Sequence, residues 1–552
     1  MKVETCRSDC PSDLKLLKMQ GSTEQWLRRR ITVKHSLWLV ILLLLWTANL
    51  IAQLGVNHPV KTTSGLIRGT SSASGKVTVF KGIPYAAPPV GSLRWREPQP
   101  VHPWKNVLQA SHFGKNCMQA PVREYLPWTS EFMAVNDFSE DCLFLNIWSP
   151  AHRSSDRLAV YVYIHGGGFL GGSGDVPVYD GENLAKKGII VITLNYRVGA
   201  FGFLALPELS KESPHHSSGN YGLLDQLAAL RWIKENIAGF GGDPTRVTIG
   251  GQSAGAASVN ALVASPLAQG LFRGAVAESD PGLVPKPLSE AEKDGADYAK
   301  SKGASSLAAL RALPAEEFVP KIAFGDLRFL PILDGWVLRQ SPRDVFAARA
   351  QNDVATLAGF NANDIFGITA TGAEAYRQQV KEKYGQFADE FLKLYPANND
   401  EETKRSERSA AQNATRTYLH FWAEDRSLST RTPAFLYFFS HAIPWPQHPE
   451  FGAFHTSEVP YYFDNLDKLP RPWTEGDHNL AEIMSTYLVN FVRTGDPNGA
   501  GLPHWSAFKP ATAGITEIGS NISAPVSLAE PSALDFWTRY WKSPAGKAAS
   551  LF

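Results

Sequence analysis

Three short segments that are almost continuously apolar constrain the fold of this 552-residue chain more than any other feature. Each is rich in β-branched or aromatic residues and precedes a helical pattern; they are LAVYVYIHGGG at 158–168, GIIVITLNYR at 188–197 and RVTIGGQSAG at 246–255. Strands of this kind are buried on both faces, and their alternation with helices is typical of a mostly parallel sheet. The pattern therefore predicts an α/β fold with a central sheet flanked by helices.

The remaining elements fit the same plan. Residues 221–240 have apolar side chains at helical spacing and predict a crossover helix between the second and third of these strands. Further strands are predicted at 353–361 and 434–442. Residues 285–350 and 370–430 have helical periodicity and are expected to form helical insertions that cap the sheet.

The N-terminal residues differ from the rest of the chain. A basic segment is followed by an apolar run from Leu37 to Trp46 and then by small or polar residues, which is the order found in secretory signal peptides. We therefore expect residues 1–52 to be a signal peptide cut after Ala52, and the protein to be secreted or periplasmic. An uncleaved membrane anchor is the alternative, although the apolar run is shorter than the ~20 residues that span a bilayer. No linker rich in proline and serine divides residues 53–552, which are expected to form a single domain.

Cysteine positions agree with export. Cys6 and Cys10 precede the apolar run and would leave with the signal peptide. The remaining pair, Cys117 and Cys142, predicts one disulfide, with two separate buried thiols as the alternative. Because no cysteines and histidines cluster with zinc-site spacing, no metal is expected.

The balance of basic and acidic residues indicates which classes of molecule the protein is expected to bind. The formal net charge is +1, and no stripe of lysine and arginine alternates with aromatic residues, so nucleic acid is not expected as a partner. Membrane contact is expected only if the N-terminal segment stays uncleaved. The composition does not predict an oligomeric state.

Ser253 stands between two glycines in the sequence GQSAG, directly after an apolar strand and before small, helix-forming residues. A strand, a strained turn and a helix are the setting of a nucleophile elbow, in which Gly251 and Gly255 leave room for the turn. The first amides of the following helix favour negative charge beside the serine. Since the pattern G-x-S-x-G also occurs by chance, the alternative is a small residue in a tight turn.

The sequence HGGGF at 165–169 places a glycine-rich turn directly after another predicted strand. A serine nucleophile needs hydrogen-bond donors aimed at the developing oxyanion. We therefore expect the backbone amides of Gly167, Gly168 and Ala254 to form an oxyanion hole. The alternative for HGGGF taken alone is a loop that ends a strand and has no catalytic role. The occurrence of HGGGF together with GQSAG favours the catalytic interpretation.

With these motifs, residues 60–545 resemble the type B carboxylesterase and cholinesterase family, including its bacterial para-nitrobenzyl-esterase-like members. The matching stretches include FKGIPYAAPPVGSLRWREPQP at 80–100, SEDCLFLNIWSP at 139–150 and GAFHTSEVPYYF at 452–463. The resemblance implies an α/β-hydrolase fold and a serine carboxylesterase that hydrolyses small-molecule esters through an acyl-enzyme without a cofactor. An amidase, lactonase or acyltransferase would share this chemistry and stays open, as does a non-catalytic adhesion module of the same family.

The resemblance also implies the partners of Ser253. In this fold the chain order is nucleophile, acid, histidine. His441 lies at the end of the last predicted strand, and His448 and His455 follow that strand, so all three are candidates. The family pattern selects His455, and the acid position holds Asp364 where the family usually has glutamate. Aspartate is chemically competent but one methylene shorter, so its loop must lie closer to the histidine.

Four further positions bear on the support of the histidine and on the substrate. By resemblance, Ser279 and Glu458 belong to a buried polar network that supports the histidine, with ordinary surface polar groups as the alternative. Gln252 replaces the glutamate common before the nucleophile, and Ala256 replaces a common glycine. The missing acid, together with the lack of a clear match to the family's choline-binding tryptophan, argues against a choline ester as substrate.

Three aromatic residues are candidates for a substrate cavity. Trp128 lies between the paired cysteines and is interpreted as a cavity wall. Phe169 and Phe360 are candidates for an acyl or alcohol pocket, with a place in the core as the alternative.

Overall fold

The apolar segments form strands of a central sheet in the computed structural model, which describes residues 58–551 except 122–123, 323–326, 365–371, 429, 511–513, 521 and 527–528. The strands are β1 (Val60–Lys61), β2 (Leu66–Arg68), β3 (Thr70–Ser71), β4 (Thr78–Pro84), β5 (Leu108–Gln109), β6 (Asn116–Cys117), β7 (Phe138–Ser139), β8 (Phe144–Ser149), β9 (Leu158–Ile164), β10 (Ile190–Leu194), β11 (Gly242–Gln252), β12 (Gly274–Glu278), β13 (Ala355–Asn361), β14 (Ala434–Phe439), β15 (Ile515–Ile518) and β16 (Ile522–Val526). The helices are α1 (Glu182–Lys186), α2 (Gly199–Phe203), α3 (Pro207–Glu212), α4 (Tyr221–Asn236), α5 (Ala254–Ala264), α6 (Leu288–Ser301), α7 (Leu307–Ala312), α8 (Pro342–Ala347), α9 (Ala373–Tyr384), α10 (Ala388–Leu394), α11 (Asp400–Ser427), α12 (Val459–Phe463), α13 (Glu475–Thr494), α14 (Pro531–Lys542) and α15 (Pro544–Lys547).

The central sheet is mostly parallel, which confirms the predicted fold class. Eleven of the described strands form it in the order β16-β15-β14-β13-β12-β11-β9-β10-β8-β4-β3. Neighbours from β10 through β9 and β11 to β15 pair in parallel, whereas antiparallel pairs occur only at the two edges of this set. The carboxyl ends of the parallel strands therefore meet at one edge, where ligand sites of open α/β sheets lie.

The two faces of the sheet pack against different layers. Tyr161 and Tyr163 of β9 lie on one face, in a core that includes residues of α12 and α13. Val160 and Val162 lie on the other face, in a core that includes residues of α4 and α5. All four side chains are buried, and this accounts for the nearly continuous apolar character of the strand.

The predicted crossover helix is α4, which begins at Tyr221 as expected and continues into a short 3₁₀ turn over Ile237–Phe240. It connects β10 to β11, but these strands are not neighbours, because β9 lies between them. The predicted helical insertions contain α6 to α8 and α9 to α11.

Cys117 and Cys142 form a disulfide, as predicted, so the alternative of two separate thiols is wrong. The bond closes a loop between residues 25 positions apart. It therefore ties β6 to the residues just before β8.

The described residues belong to one compact unit, which spans Gly55–Phe552. Within the described ranges, no helix combines the length and apolar character needed to cross a membrane. The predicted signal peptide, with Cys6 and Cys10, lies outside the described residues.

Candidate active site

Ser253 lies at a sharp turn between β11 and α5. The strand ends at Gln252 and the helix begins at Ala254, so Ser253 is the single connecting residue. Its φ of 58° and ψ of −124° place a non-glycine residue in a sparsely populated backbone conformation. The serine lines a deep cavity at the carboxyl edge of the sheet, as a nucleophile elbow would place it.

The end of β9 approaches this turn closely and explains its two glycines. A Cβ atom at Gly255 would lie 2.1 Å from the carbonyl oxygen of Ile164, and one at Gly251 would lie 2.6 Å from that oxygen. Because the obstructing atom belongs to the backbone, a side chain at either position would have to displace β9. Neither glycine has a positive φ, so the close approach of β9, and not the backbone conformation, is what requires them.

The HGGGF turn follows β9 and borders the same cavity. Gly167 and Gly168 have positive φ angles of 107° and 64°. Among the described residues, the N–H groups of these two glycines have no hydrogen-bond acceptor. The N–H of Ala254, in the first turn of α5, has no acceptor within its helix. Three backbone donors without an internal acceptor thus border one cavity, as an oxyanion hole requires.

Asp364 and His455 come together from loops that follow β13 and β14. His455 Nδ1 hydrogen-bonds to Asp364 Oδ1, while Asp364 Oδ2 accepts a hydrogen bond of 2.8 Å from the backbone N–H of Asn361. The loops also bind each other: the N–H of Asn363 donates to the carbonyl of Ala453 at 2.9 Å, and the N–H of Ala453 donates to Asn363 Oδ1 at 3.1 Å. Both members of the Asp364–His455 pair are buried, so their interaction is little screened by water.

The other two candidate histidines lie elsewhere. His441 Nε2 is 2.8 Å from Asp477 Oδ1, and His448 Nδ1 is 3.1 Å from Glu450 Oε1. Of the three histidines, only His455 lines the cavity that Ser253 lines.

Gln252 lies against the ring of His455. Its Nε2 is 3.1 Å from His455 Nε2 and 3.3 Å from His455 Nδ1. An atom almost equally far from the two ring nitrogens cannot lie in the ring plane, where it would collide with Cε1 between them. The amide therefore covers the face of the imidazole and does not occupy the in-plane hydrogen-bond direction of Nε2.

Of the two residues expected to support His455, Glu458 is connected to the pair. Its Oε2 accepts a hydrogen bond from the side chain of Asn361, whose backbone binds Asp364. Burial raises the pKa of Glu458 to about 8; the charge of Asp364 adds to the rise, and the hydrogen bond from Asn361 opposes it. Ser279 is also buried, but its Oγ has no hydrogen-bond partner among the described residues. Among the described residues, hydrogen bonds therefore link Glu458 to the pair through Asn361, and none links the Ser279 side chain to it.

Sequence reasoning missed Glu278, the last residue of β12. It is completely buried, and neither of its carboxylate oxygens has a hydrogen-bond partner in the described part of the chain. Burial raises its pKa well above the ordinary value, and Glu458 adds to the rise. Glu278 lies in register with Gln252 on the neighbouring strand. The available signal was a charged residue at the end of the apolar run GAVAE.

The cavity has a volume of about 760 Å³, and its described lining contains no aspartate, glutamate, lysine or arginine. Apolar and aromatic side chains form most of its walls, among them Tyr125, Phe132, Met133, Tyr179, Leu283 and Leu330. Nowhere in the described ranges do three or more histidine, cysteine, aspartate or glutamate side chains form a group that could hold a metal ion.

Two of the three predicted aromatic residues line this cavity. Trp128 does so, and its Nε1 donates a hydrogen bond of 2.9 Å to Thr456 Oγ1, beside His455. Phe169 also lines the cavity. Phe360 does not line the cavity and is buried in the core, so the alternative interpretation holds for it.

The sheet, the elbow after β11 and the loops after β13 and β14 have the architecture of an α/β-hydrolase, and a solved PNB esterase structure has the same fold. Its TM-score is 0.73 at 31% identity, and the match covers 85% of this chain and 97% of that one. Residues 57–537 match the carboxylesterase family.

Two relatives agree with this match. A fumonisin B1 esterase of Sphingopyxis macrogoltabida is 38% identical over 478 residues, which cover 81% of this chain and 84% of the relative. A para-nitrobenzyl esterase of Bacillus subtilis (strain 168) is 33% identical over 493 residues, which cover 85% of this chain and 96% of the relative. The chain belongs to the carboxylesterase family and is a carboxylic ester hydrolase. The resemblance inferred from the motifs is thereby confirmed.

Proposed function

We propose that the protein hydrolyses small, uncharged carboxylic esters with Ser253 as nucleophile, His455 as general base and Asp364 as the residue that orients the histidine. One observation carries this assignment: His455, which hydrogen-bonds to the buried Asp364, and the strained Ser253 turn line the same cavity. The three residues come from chain segments that follow β11, β13 and β14 of the central sheet. Esterase relatives favour ester hydrolysis over the amidase, lactonase and acyltransferase alternatives.

The geometry supports the following steps. With Nδ1–H of His455 donated to Asp364, His455 Nε2 accepts the proton of Ser253 while Oγ attacks the ester carbonyl. Asp364 stabilises the imidazolium that forms. The amides of Gly167, Gly168 and Ala254 donate to the oxyanion. The imidazolium then protonates the departing alcohol, and water attacks the acyl-serine by the same route to release the acid and restore Ser253.

A serine variant tests the assignment of the nucleophile. Ser253→Ala should lower kcat for p-nitrophenyl butyrate by at least about 1,000-fold, because no other group can form the acyl-enzyme. Ser305→Ala, at an exposed serine, is the matched control and should retain wild-type turnover. If Ser253→Ala and wild type turned over the ester at the same rate, the nucleophile would have to lie elsewhere.

The charge of the substrate follows from the cavity. Because the described lining carries no lysine or arginine that could pair with a substrate carboxylate, an ester with an anionic acyl chain would lose hydration without an ionic partner. We expect an acyl chain that ends in a carboxylate to lower kcat/KM at least about tenfold relative to the neutral chain of equal length. A charged ester hydrolysed as well as the neutral one would contradict this substrate class.

We also propose that residues 1–52 direct export, so that the enzyme works outside the cytoplasm. The pairing of Cys117 with Cys142 supports this, because disulfides persist in oxidising compartments. Mass spectrometry of the enzyme recovered from the periplasm or medium should give an N-terminus immediately after Ala52. Recovery of the intact chain from the membrane fraction would favour an uncleaved anchor.

A further inference from the structure

The last described residues of the chain form part of the wall of the catalytic cavity. After α15 the chain continues through residues 548–551, and Ala548 and Ser550 line the same cavity as Ser253 and His455. Residues almost 300 positions beyond the elbow in sequence thus contact the space that holds the substrate.

This segment is held at its start by α8. Arg343 donates hydrogen bonds to the carbonyl of Gly546 at 3.0 Å and to the carbonyl of Trp541 at 2.6 Å. Gly546 N–H also donates to Ser543 Oγ at 3.1 Å, which caps α15. The turn that leads into residues 548–551 is therefore fixed by charged and neutral hydrogen bonds.

The segment is held at its end by the 281–284 loop, which follows β12. Leu551 N–H donates to the carbonyl of Pro281 at 2.7 Å, and the Leu551 side chain is 3% exposed within the core. Burial of this apolar side chain holds the segment in place, because releasing it would expose apolar surface to water.

The 281–284 loop is in turn anchored to the elbow helix. Asp280 Oδ1 accepts a hydrogen bond of 2.9 Å from Gly282 N–H, and Asp280 Oδ2 accepts one from Asn260 of α5. Gly282, Leu283 and Val284 all line the cavity. Residues 548–551, the 281–284 loop and the helix that starts after Ser253 are thus connected by hydrogen bonds into one wall.

We propose that residues 548–551 determine the size of the ester group that lies against the 281–284 loop. The inference rests on the proposed role of Ser253, and it adds a specificity determinant to that reaction. The neighbouring side chains Leu283, Val284 and Ala548 are apolar, so the group selected here is an uncharged hydrocarbon portion of the ester. Because the segment is part of the wall, shortening it enlarges the space and filling it reduces the space.

Two variants with opposite expected effects test the proposal. The first ends the chain at Lys547, and the second is Ala548→Trp, at an exposed position of the full-length chain that lines the cavity. For each, kcat/KM is measured with p-nitrophenyl acetate and octanoate, and with ethyl and cyclohexyl esters of one acid. We expect the large-to-small ratio for one ester half to rise at least about tenfold in the shortened enzyme and to fall at least about tenfold in Ala548→Trp.

The control is Lys547→Trp, which adds the same ring at an exposed neighbouring position that does not line the cavity. Its ratios should match those of wild type. If Ala548→Trp left both ratios within about twofold of wild type while hydrolysis still depended on Ser253, the proposal would be overturned and the esterase assignment would stand. Failure of the unmodified enzyme to hydrolyse any of the four esters would instead overturn the proposed function. Where the shortened chain loses its thermal unfolding transition, the full-length Ala548→Trp variant decides.

Discussion

At the scale of single residues, the acid that bonds His455 is an aspartate where resemblance to the family leads one to expect a glutamate. The loops that carry the two residues pair with each other through Asn363 and Ala453. With the loops paired in this way, the aspartate side chain reaches Nδ1 of the histidine. The length of an aspartate is therefore sufficient for this contact.

Asp364→Asn should retain the fold but lower kcat by about 1,000- to 10,000-fold, because an amide does not hold the imidazole in the required tautomer. The measurement is steady-state hydrolysis of p-nitrophenyl butyrate, with thermal unfolding to show that the variant is native. Asp467→Asn, at an exposed carboxylate, serves as the control. A turnover within threefold of wild type would assign the role to another acid.

Glu458 leads to a prediction about pH. Its pKa is about 8 in the folded protein against an ordinary value of 4.5, mainly because of burial. Between about pH 4.5 and 8 the native state therefore holds a proton that the unfolded state has lost. The contribution to the free energy of unfolding is complete below about pH 4.5 and decreases as pH rises toward 8, by at most about 1.4 kcal/mol per pH unit.

Glu458→Gln stays neutral in both states and should remove this decrease. Urea unfolding at pH 5, 6, 7 and 8 should give a variant whose stability relative to wild type increases with pH. Glu278→Gln should behave in the same direction, because burial raises the pKa of Glu278 as well. Glu208→Gln, at an exposed position on α3, provides the baseline. Parallel pH profiles for wild type and Glu458→Gln would show that the carboxyl is ionised in the native state.

At the scale of elements, the elbow depends on how closely β9 approaches the start of α5. Gly255 permits this approach, since a Cβ there would lie 2.1 Å from the Ile164 carbonyl oxygen. The same strand end leads into the turn that carries Gly167 and Gly168. Separating β9 from α5 would therefore displace the amides of Gly167 and Gly168 relative to Ser253.

Gly255→Ala should lower the free energy of unfolding by about 1–3 kcal/mol through overpacking, and should lower kcat more than it raises KM. Urea unfolding and steady-state kinetics with p-nitrophenyl butyrate measure the two effects. Gly476→Ala, in the first turn of α13 where a Cβ meets only an atom at 3.5 Å, is the matched glycine control. Wild-type stability and kcat in Gly255→Ala would mean that the elbow tolerates a wider separation.

At the scale of the whole molecule, the disulfide encloses a segment that supplies part of the cavity wall. Tyr125, Trp128 and Phe132 lie between Cys117 and Cys142 and line the cavity. The bond therefore affects both the free energy of unfolding and the wall that contacts the substrate.

Replacing both cysteines by alanine should lower the free energy of unfolding by roughly 3 kcal/mol, the value expected when a loop of this length is no longer closed in the unfolded chain. Urea unfolding measures the loss, and wild type treated with a reductant should reproduce it. KM should rise as well, because the aromatic wall is less constrained. An unchanged unfolding midpoint would show that packing alone fixes this segment.

The sequence by itself determined the parallel core strands, the crossover helix from Tyr221, the elbow at Ser253 and the cysteine pair. These features follow from neighbouring residues, because strand and helix periods, glycine turns and cysteine counts are local properties. Resemblance to the family then supplied Asp364 as the acid. It also selected His455 among the three histidines that spacing alone left open.

Only the tertiary structure decided how distant residues meet around these elements. The contact of Gln252 with His455 and the hydrogen bond between Leu551 and Pro281 join positions about 200 to 270 apart in sequence. The buried Glu278 is also a tertiary result, since its burial depends on the layers packed on the sheet. Such contacts depend on sheet register and on the packing of loops whose conformation no local period specifies. Apart from Trp128 and Phe169, the walls of the cavity could therefore not be predicted from the sequence, unlike the turn at Ser253.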